Sequence, residues 1–362
     1  MKKYTLIVPG IMAMLLFYPY LYARSIHRPV DCSMPVIHTR WPDDKKIYTL
    51  RDYHLTEYPL FEEFDYEHIQ EHALPRTYLS YRYDSTKTVS SELLIALLEK
   101  LVHDIEKLNA RRKIHIPNFD VLSQRSFNTR QGAGALVLKF KEYPFVVKLF
   151  RETPATFVRP FSKGLEQQTF FSMSGGMCRY LSGFTRIKNL EITKRLLAQH
   201  PEFKDTVDFP RKWFWIPKNC RWFELIGNNI GRKTQQIILL PTVYAVIEDA
   251  IDIKEAFTLR NQQDRERALR ISSSVHERID PNIDNFVHER NTGKTVIVDT
   301  EHFPSVVGTR TLLECDGYSS YYYKLSKKFL KDSYLTSKSE LRRWQYIDSI
   351  RVEDNQTIVI LP

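Results

Sequence analysis

The clearest periodic stretch of the chain runs from residue 93 to 108. Leu93, Leu94, Leu97, Leu98, Leu101, Val102, Ile105 and Leu108 recur there at intervals of mostly three and four. Glu99, Lys100, Asp104, Glu106 and Lys107 fill the other face. This is an amphipathic helix with one side in a core, and Ser90 or Ser91 stands where its N-cap belongs. After it the period shortens. Runs at 120–127, 136–140 and 145–150 predict three strands, the last two joined by the polar turn 141–144. Helical spacing returns at 160–171 and at 186–200, where Ile187, Leu190, Leu196 and Leu197 are the apolar positions. Strands are expected again at 222–225, 237–240 and 242–247, then a helix over 253–278 with Ala268, Leu269, Ser272 and Val275 on one side. A short apolar strand at 296–298 and a Tyr- and Lys-rich helix at 316–332 follow, and a hairpin of 350–352 and 358–361 turned at Asp354-Asn355 completes the pattern.

Two stretches lack a clean period. Residues 24–85 are rich in Tyr, Pro, His and charge and read as an irregular extension wrapping the domain. Ahead of them, Lys2 and Lys3 precede a mostly apolar run at 6–23, which reads as a signal peptide or a membrane anchor rather than a buried helix. Pro9, Gly10 and Pro19 make it a poor straight helix, and Arg24 and Arg28 beyond it leave its orientation open. The expected division is therefore 1–23 signal or anchor, 24–85 extension, 86–117 helix packing on the domain, 118–250 a sheet-rich part with an insertion at 172–235, and 251–362 a helical part.

Composition narrows the classes. With 362 residues, 43% hydrophobic and 13% aromatic, the chain has the make-up of a packed globular protein and not a disordered one. Its net charge of +10 fits a basic soluble surface, or affinity for nucleotide phosphates, nucleic acid or an anionic membrane. The four cysteines, Cys32, Cys178, Cys220 and Cys315, form no C-x-x-C pair, which argues against a zinc ribbon or disulfide scaffold. The eleven histidines show no H-E-x-x-H or mixed Cys/His spacing, so no zinc site is expected. Residues 211–223 interleave Arg and Lys with Trp and Phe; strands with inward aromatics are favoured over a surface for stacking nucleic-acid bases.

The candidate chemistry lies in two loops. Asp280 and Asn285 stand five positions apart after the expected helix, and Asp299 ends the apolar strand fourteen residues later, opening Asp299-Thr300-Glu301. Phosphoryl transfer uses such a set: a carboxylate to position a hydroxyl and accept its proton, and an amide oxygen and second carboxylate to hold magnesium. Upstream, Lys148 lies between apolar neighbours on an expected strand, Glu166 follows on an expected helix, Gly132 and Gly134 form a small-residue turn, and Glu248 ends the strand before the next helix.

In this order the residues resemble the protein-kinase superfamily, over about half the chain. The Asp299-x-Glu301 triplet is more similar to aminoglycoside-phosphotransferase-like and other small-substrate kinases than to typical protein kinases. The resemblance implies an α+β, two-lobed kinase-like fold with a mostly antiparallel N-lobe sheet and a reduced helical C-lobe. It implies ATP and Mg as cofactors, with Asp280 as catalytic base and Asn285 and Asp299 as metal ligands. Lys148 would bind phosphates and pair with Glu166, Gly132 and Gly134 would cover the phosphates, and Glu248 would lie in the adenine-binding hinge. The partners would be a nucleotide and a phosphate acceptor of unassigned class, with membrane contact through residues 6–23; nucleic acid is not expected. Arg278 replaces the usual loop-bracing His, Asn282 the usual Lys or His, and no A-P-E segment follows. A catalytically weak pseudokinase acting as a binding module is the alternative.

Overall fold

The computed structural model describes residues 36–51, 66–107, 114–158, 176–227, 236–304, 313, 315–335 and 359–360. The chain is α+β, as expected, and its sheets are mostly antiparallel. At its centre stands a sheet whose main strands run in the order Lys212–Trp215, Val243–Asp249, Phe145–Arg151, Ala133–Phe140 and Phe119–Ser123, every neighbour antiparallel.

Because side chains alternate across a strand, this sheet has two faces. Leu136, Leu138, Phe140, Val147, Leu149, Ala245 and Ile247 point one way and pack on Leu94, Leu98, Leu101 and Ile105 of the leucine helix, Ser91–Glu106. Burying each of those leucines contributes roughly 1.5–3 kcal/mol. Phe150, Phe214, Tyr244 and Val246 point the other way, against Tyr180, Leu181, Phe184 and Ile187 of a second helix, Gly176–Leu197. That helix comes close because Gly183 sits at the crossing: a Cβ there would lie 2.8 Å from the Tyr244 ring and 2.9 Å from Phe150. The sheet is thus sandwiched between two helices.

Several sequence expectations need correction. The extension is not irregular throughout: Val36–Arg40 and Tyr48–Arg51 join Trp222–Gly227 and Gln236–Pro241 in a second sheet, and Tyr78–Ser80 pairs with Thr88–Ser90. Residues 172–235 supply the Gly176–Leu197 helix and a strand to each large sheet. The helix expected over 253–278 splits. Ile253–Ala256 is an exposed edge strand on Phe286–Glu289, and the helix spans only Gln262–Ser274. Asn261 starts it by accepting a hydrogen bond from the Gln263 N–H. Phe286–Glu289, Thr295–Ile297 and Val207–Asp208 complete a third sheet, onto which Ala268 and Ile271 of this helix pack. The sequence periodicity at 316–332 corresponds to a helix at Tyr318–Leu335. Among the described residues no helix is long and apolar enough to cross a membrane, and residues 1–23 lie outside them.

Glu152 follows directly after the Phe145–Arg151 strand and is buried. Its Oε2 has no hydrogen-bond partner among the described residues. Burial pushes its carboxyl from 4.5 up to about 8, against the pull of Thr156 and Arg151. Between those values the folded chain holds a proton that the unfolded chain has released, so Glu152 makes stability fall as pH rises through the window. The Glu152→Gln variant should gain on wild type by up to a few kcal/mol between pH 5 and 8.5, read as the difference in urea midpoints. An unchanged difference across that range would refute the assignment.

Candidate functional site

The apolar face toward the Gly176–Leu197 helix turns polar at one end of the central sheet. Glu248 is the cross-strand partner of both Val146 and Lys212, and Lys148 lies two positions from Val146. The alternation of side chains therefore puts Lys148, Glu248 and Lys212 on one face. Lys148 Nζ lies 3.1 Å from Glu248 Oε1, and Lys212 Nζ bonds the other carboxylate oxygen. Both ammonium groups also donate to the Val298 carbonyl, at 3.0 and 3.2 Å.

Two lysines on one buried carboxylate cannot both keep their charge cheaply. Burial lowers the pKa of Lys148, with Arg186 adding to the effect and Glu248 opposing it. Burial, seconded by Lys148, brings Lys212 down to about 7 despite Glu248. Burial works against the Glu248 charge too, yet the two lysines hold its carboxyl below the usual range.

Val298 connects this cluster to the two loops. Its N–H donates to the Asn285 carbonyl at 2.9 Å, and Asn285 Nδ2 donates to the Asp280 carbonyl at 3.1 Å. Just before the loop, His276 and Glu277 both have φ of 55°, a left-handed conformation that side chains other than glycine rarely adopt. This double turn redirects the chain from the Gln262–Ser274 helix into Arg278–Asp280. The Asp280 carboxylate accepts from the Asn282 N–H and the Tyr322 hydroxyl, each at 3.0 Å. Burial raises its pKa to about 7, those two donors restraining the rise.

Asp299 follows Val298, and its carboxylate accepts from Arg186 and from the Glu301 N–H. Arg186 also donates to Glu301 Oε2 at 2.8 Å, and Ser182 reaches the same oxygen at 3.0 Å. The helix holds this turn along its length. Thr185 Oγ1 accepts the His302 N–H at 2.9 Å, and Thr300 Oγ1 donates to the Arg186 carbonyl at 2.7 Å. Asn189 Nδ2 donates to the carbonyls of Arg278 and Thr300, while its Oδ1 accepts from Arg278 Nε. Arg278 therefore braces the loop through Asn189. Burial and Arg278 bring His302 down to about 4, so its ring is neutral at physiological pH.

Of the residues singled out in sequence, Lys148, Glu248, Asp280, Asn285 and Asp299 meet around residues 298 and 299. Glu248 stands differently from expectation: its carboxylate is the partner of Lys148. Its strand is paired on both sides, and the next N–H groups, of Asp249 and Ala250, donate to the carbonyls of Arg211 and Pro144. Glu166, expected to pair with Lys148, lies outside the described residues. Gly132 ends a tight turn and Gly134 is the second residue of the strand that follows, both with positive φ (57° and 113°), and Gly132 O accepts a bond from Arg151. Gly134 pairs with Arg151, three residues from Lys148, so the turn lies roughly 10 Å along the strand from the lysine.

Sequence reasoning missed Arg186, Asn189 and Lys212. A polar stripe at helical spacing, Ser182, Thr185, Arg186 and Asn189, was the available signal for the first two. Oxygen donors from Asp299 and Asn285 fit a hard cation such as magnesium, although Arg186 already occupies the Asp299 carboxylate. No protein-family model, curated protein or solved structure matches the chain.

Proposed function

We propose that the chain is an ATP- and Mg-dependent phosphotransferase with a two-lobed, protein-kinase-like fold. One observation carries the reading: Lys148 and Asp280–Asp299, up to 151 positions apart in sequence, converge through the backbone of Val298, and a cation, a base and metal-binding oxygens are the groups that phosphoryl transfer uses. Magnesium, held by Asn285 and Asp299, would neutralise the phosphate charge of ATP. Lys148, positioned by Glu248, supplies a cation for the phosphates. Asp280, with a pKa near neutrality, is suited to orient an acceptor hydroxyl and take its proton. The apolar run at 6–23 adds export or membrane attachment to this reading.

A second reading, a pseudokinase acting as a binding module, has two observations in its favour. Arg186 pairs with Asp299 where the metal would bind, and Tyr322 covers the Asp280 carboxylate.

Thermal unfolding of the full chain with ATP, with and without magnesium, tests both. The full chain is needed because residues 36–51 are strands of a sheet shared with residues 222–227. A magnesium-dependent rise in Tm that disappears in Asp299→Ala is the expected result. No rise in folded wild type would overturn the phosphotransferase reading. A rise indifferent to both magnesium and Asp299, without ATP turnover, would favour the pseudokinase.

A further inference from the structure

Away from this site, His68, Glu71 and His72 occupy positions i, i+3 and i+4 of the short helix Tyr66–Glu71 and the residue after it. One ligand atom from each lies within 4.8 Å of those of the other two. The imidazoles meet edge to face, with ring centroids 4.4 Å apart and planes at 69°. On the facing Gly176–Leu197 helix, Glu191 Oε1 lies 3.2 Å from His72 Nε2.

We propose that His68, Glu71 and His72 bind a divalent transition metal, zinc by ligand type. Two imidazoles and a carboxylate are a nitrogen-and-oxygen donor set that suits zinc, whereas magnesium and calcium select oxygen alone. Glu191 is the positioning residue: by accepting from one ring nitrogen of His72 it fixes the tautomer and leaves the other nitrogen for the metal. The fourth position falls to water, since Glu71 is exposed and both histidines are only half-buried.

The segment is held in place before any metal arrives. Ile69 is buried in the core, Leu74 N–H donates to Phe214 O at 3.0 Å, and Phe214 N–H donates to His72 O at 2.7 Å. The ligands therefore need little further ordering. Bound metal would fasten the 66–72 segment, through His72 and Glu191, to the helix that carries Arg186 and Asn189. The H-x-x-E-H spacing lies within the stretch whose sequence read as irregular. This proposal stands independently of the phosphotransferase reading.

The test is zinc titration of the chelator-stripped full chain by calorimetry, with metal content measured after dialysis. One equivalent per chain is expected. The His68→Gln, His72→Gln double variant should lose saturable binding, and Glu191→Gln should bind ~10-fold or more weakly. Asp299→Ala and Cys220→Ser, Cys315→Ser should bind as wild type. If the histidine variant fails to fold, Glu71→Gln alters an exposed side chain and must still weaken binding. The absence of a stoichiometric site in folded protein would overturn the proposal. So would a site that survives the histidine and Glu71 changes, or one lost with Asp299 or the cysteines.

Discussion

Replacing Arg82 by alanine is expected to lower the unfolding free energy by about 3–5 kcal/mol, the usual cost of removing one partner from a buried ionic network. Arg82 belongs to the Tyr78–Ser80/Thr88–Ser90 hairpin but ties together residues from two other sheets. Its Nε donates to Glu289 Oε1 at 2.8 Å, one Nη to Asp208 Oδ2 at 2.7 Å and the other to the Phe209 carbonyl at 2.8 Å. The Asp249 carboxylate stands 3.9 Å away. The Glu289 and Asp249 side chains have no exposure, and that of Arg82 has 13%. Removing the guanidinium strands Glu289 beside only the Tyr83 and Thr292 hydroxyls. Burial opposes the guanidinium charge, yet Glu289, Asp208 and Asp249 raise its pKa, so the guanidinium stays charged over the whole useful pH range. Chemical denaturation would measure the loss. A change below about 1 kcal/mol would mean that these ions are worth no more than an exposed pair.

The second large effect contrasts two neighbours. Glu248→Gln leaves Lys148 and Lys212 facing each other with no carboxylate between them, both buried, and should cost about 3–5 kcal/mol. Lys212→Met, by contrast, should change stability by less than about 1 kcal/mol or raise it. Burial already brings Lys212 down to about 7, and methionine keeps the length of its stem while leaving Glu248 to pair with Lys148 alone. The sign follows from linkage. A lysine whose pKa is depressed on folding opposes folding at neutral pH, because the unfolded chain binds its proton more tightly. Parallel denaturation curves decide the matter. Equal losses in the two variants would show that the carboxylate needs both lysines. On the phosphotransferase reading, Glu248→Gln should also weaken ATP binding, since Lys148 loses the group that orients it.

What was readable in sequence depended on how local the cause was. The Ser91–Glu106 helix and the Phe145–Arg151 strand follow from side-chain spacing within a few turns or residues; Leu94, Leu98, Leu101 and Ile105 face the core as expected, whereas Leu93 at the start of the helix is exposed. The short strands at 36–51 and 78–90 were hidden because they are only three to five residues long and bear Tyr, His and Arg. The Gly176–Leu197 helix was recognised only from residue 186. Its buried side includes Ser182, Thr185, Arg186 and Asn189, which face polar partners and so break the apolar stripe. The Asp280, Asn285 and Asp299 cluster was legible because its spacing is fixed by one loop and one strand. The partner of Lys148 was not. Among the described residues the carboxylate that meets Lys148 is Glu248, delivered by antiparallel register from 100 positions away, and Glu166 lies outside them. Register between distant strands leaves no mark in a single sequence.

Tyr322 gives the Tyr318–Leu335 helix a bearing on access to Asp280. The phenol donates to the same oxygen that the Asn282 N–H binds, and the carboxylate is buried beneath it. An incoming alcohol and this phenol are chemically equivalent donors to that oxygen. They compete for one place. On the phosphotransferase reading, the population of chains able to receive an alcohol at that oxygen would depend on local opening of this helix, a sub-global equilibrium with its own free energy. Amide exchange along residues 318–327 would therefore report on availability of the carboxylate more directly than would the stability of the whole chain.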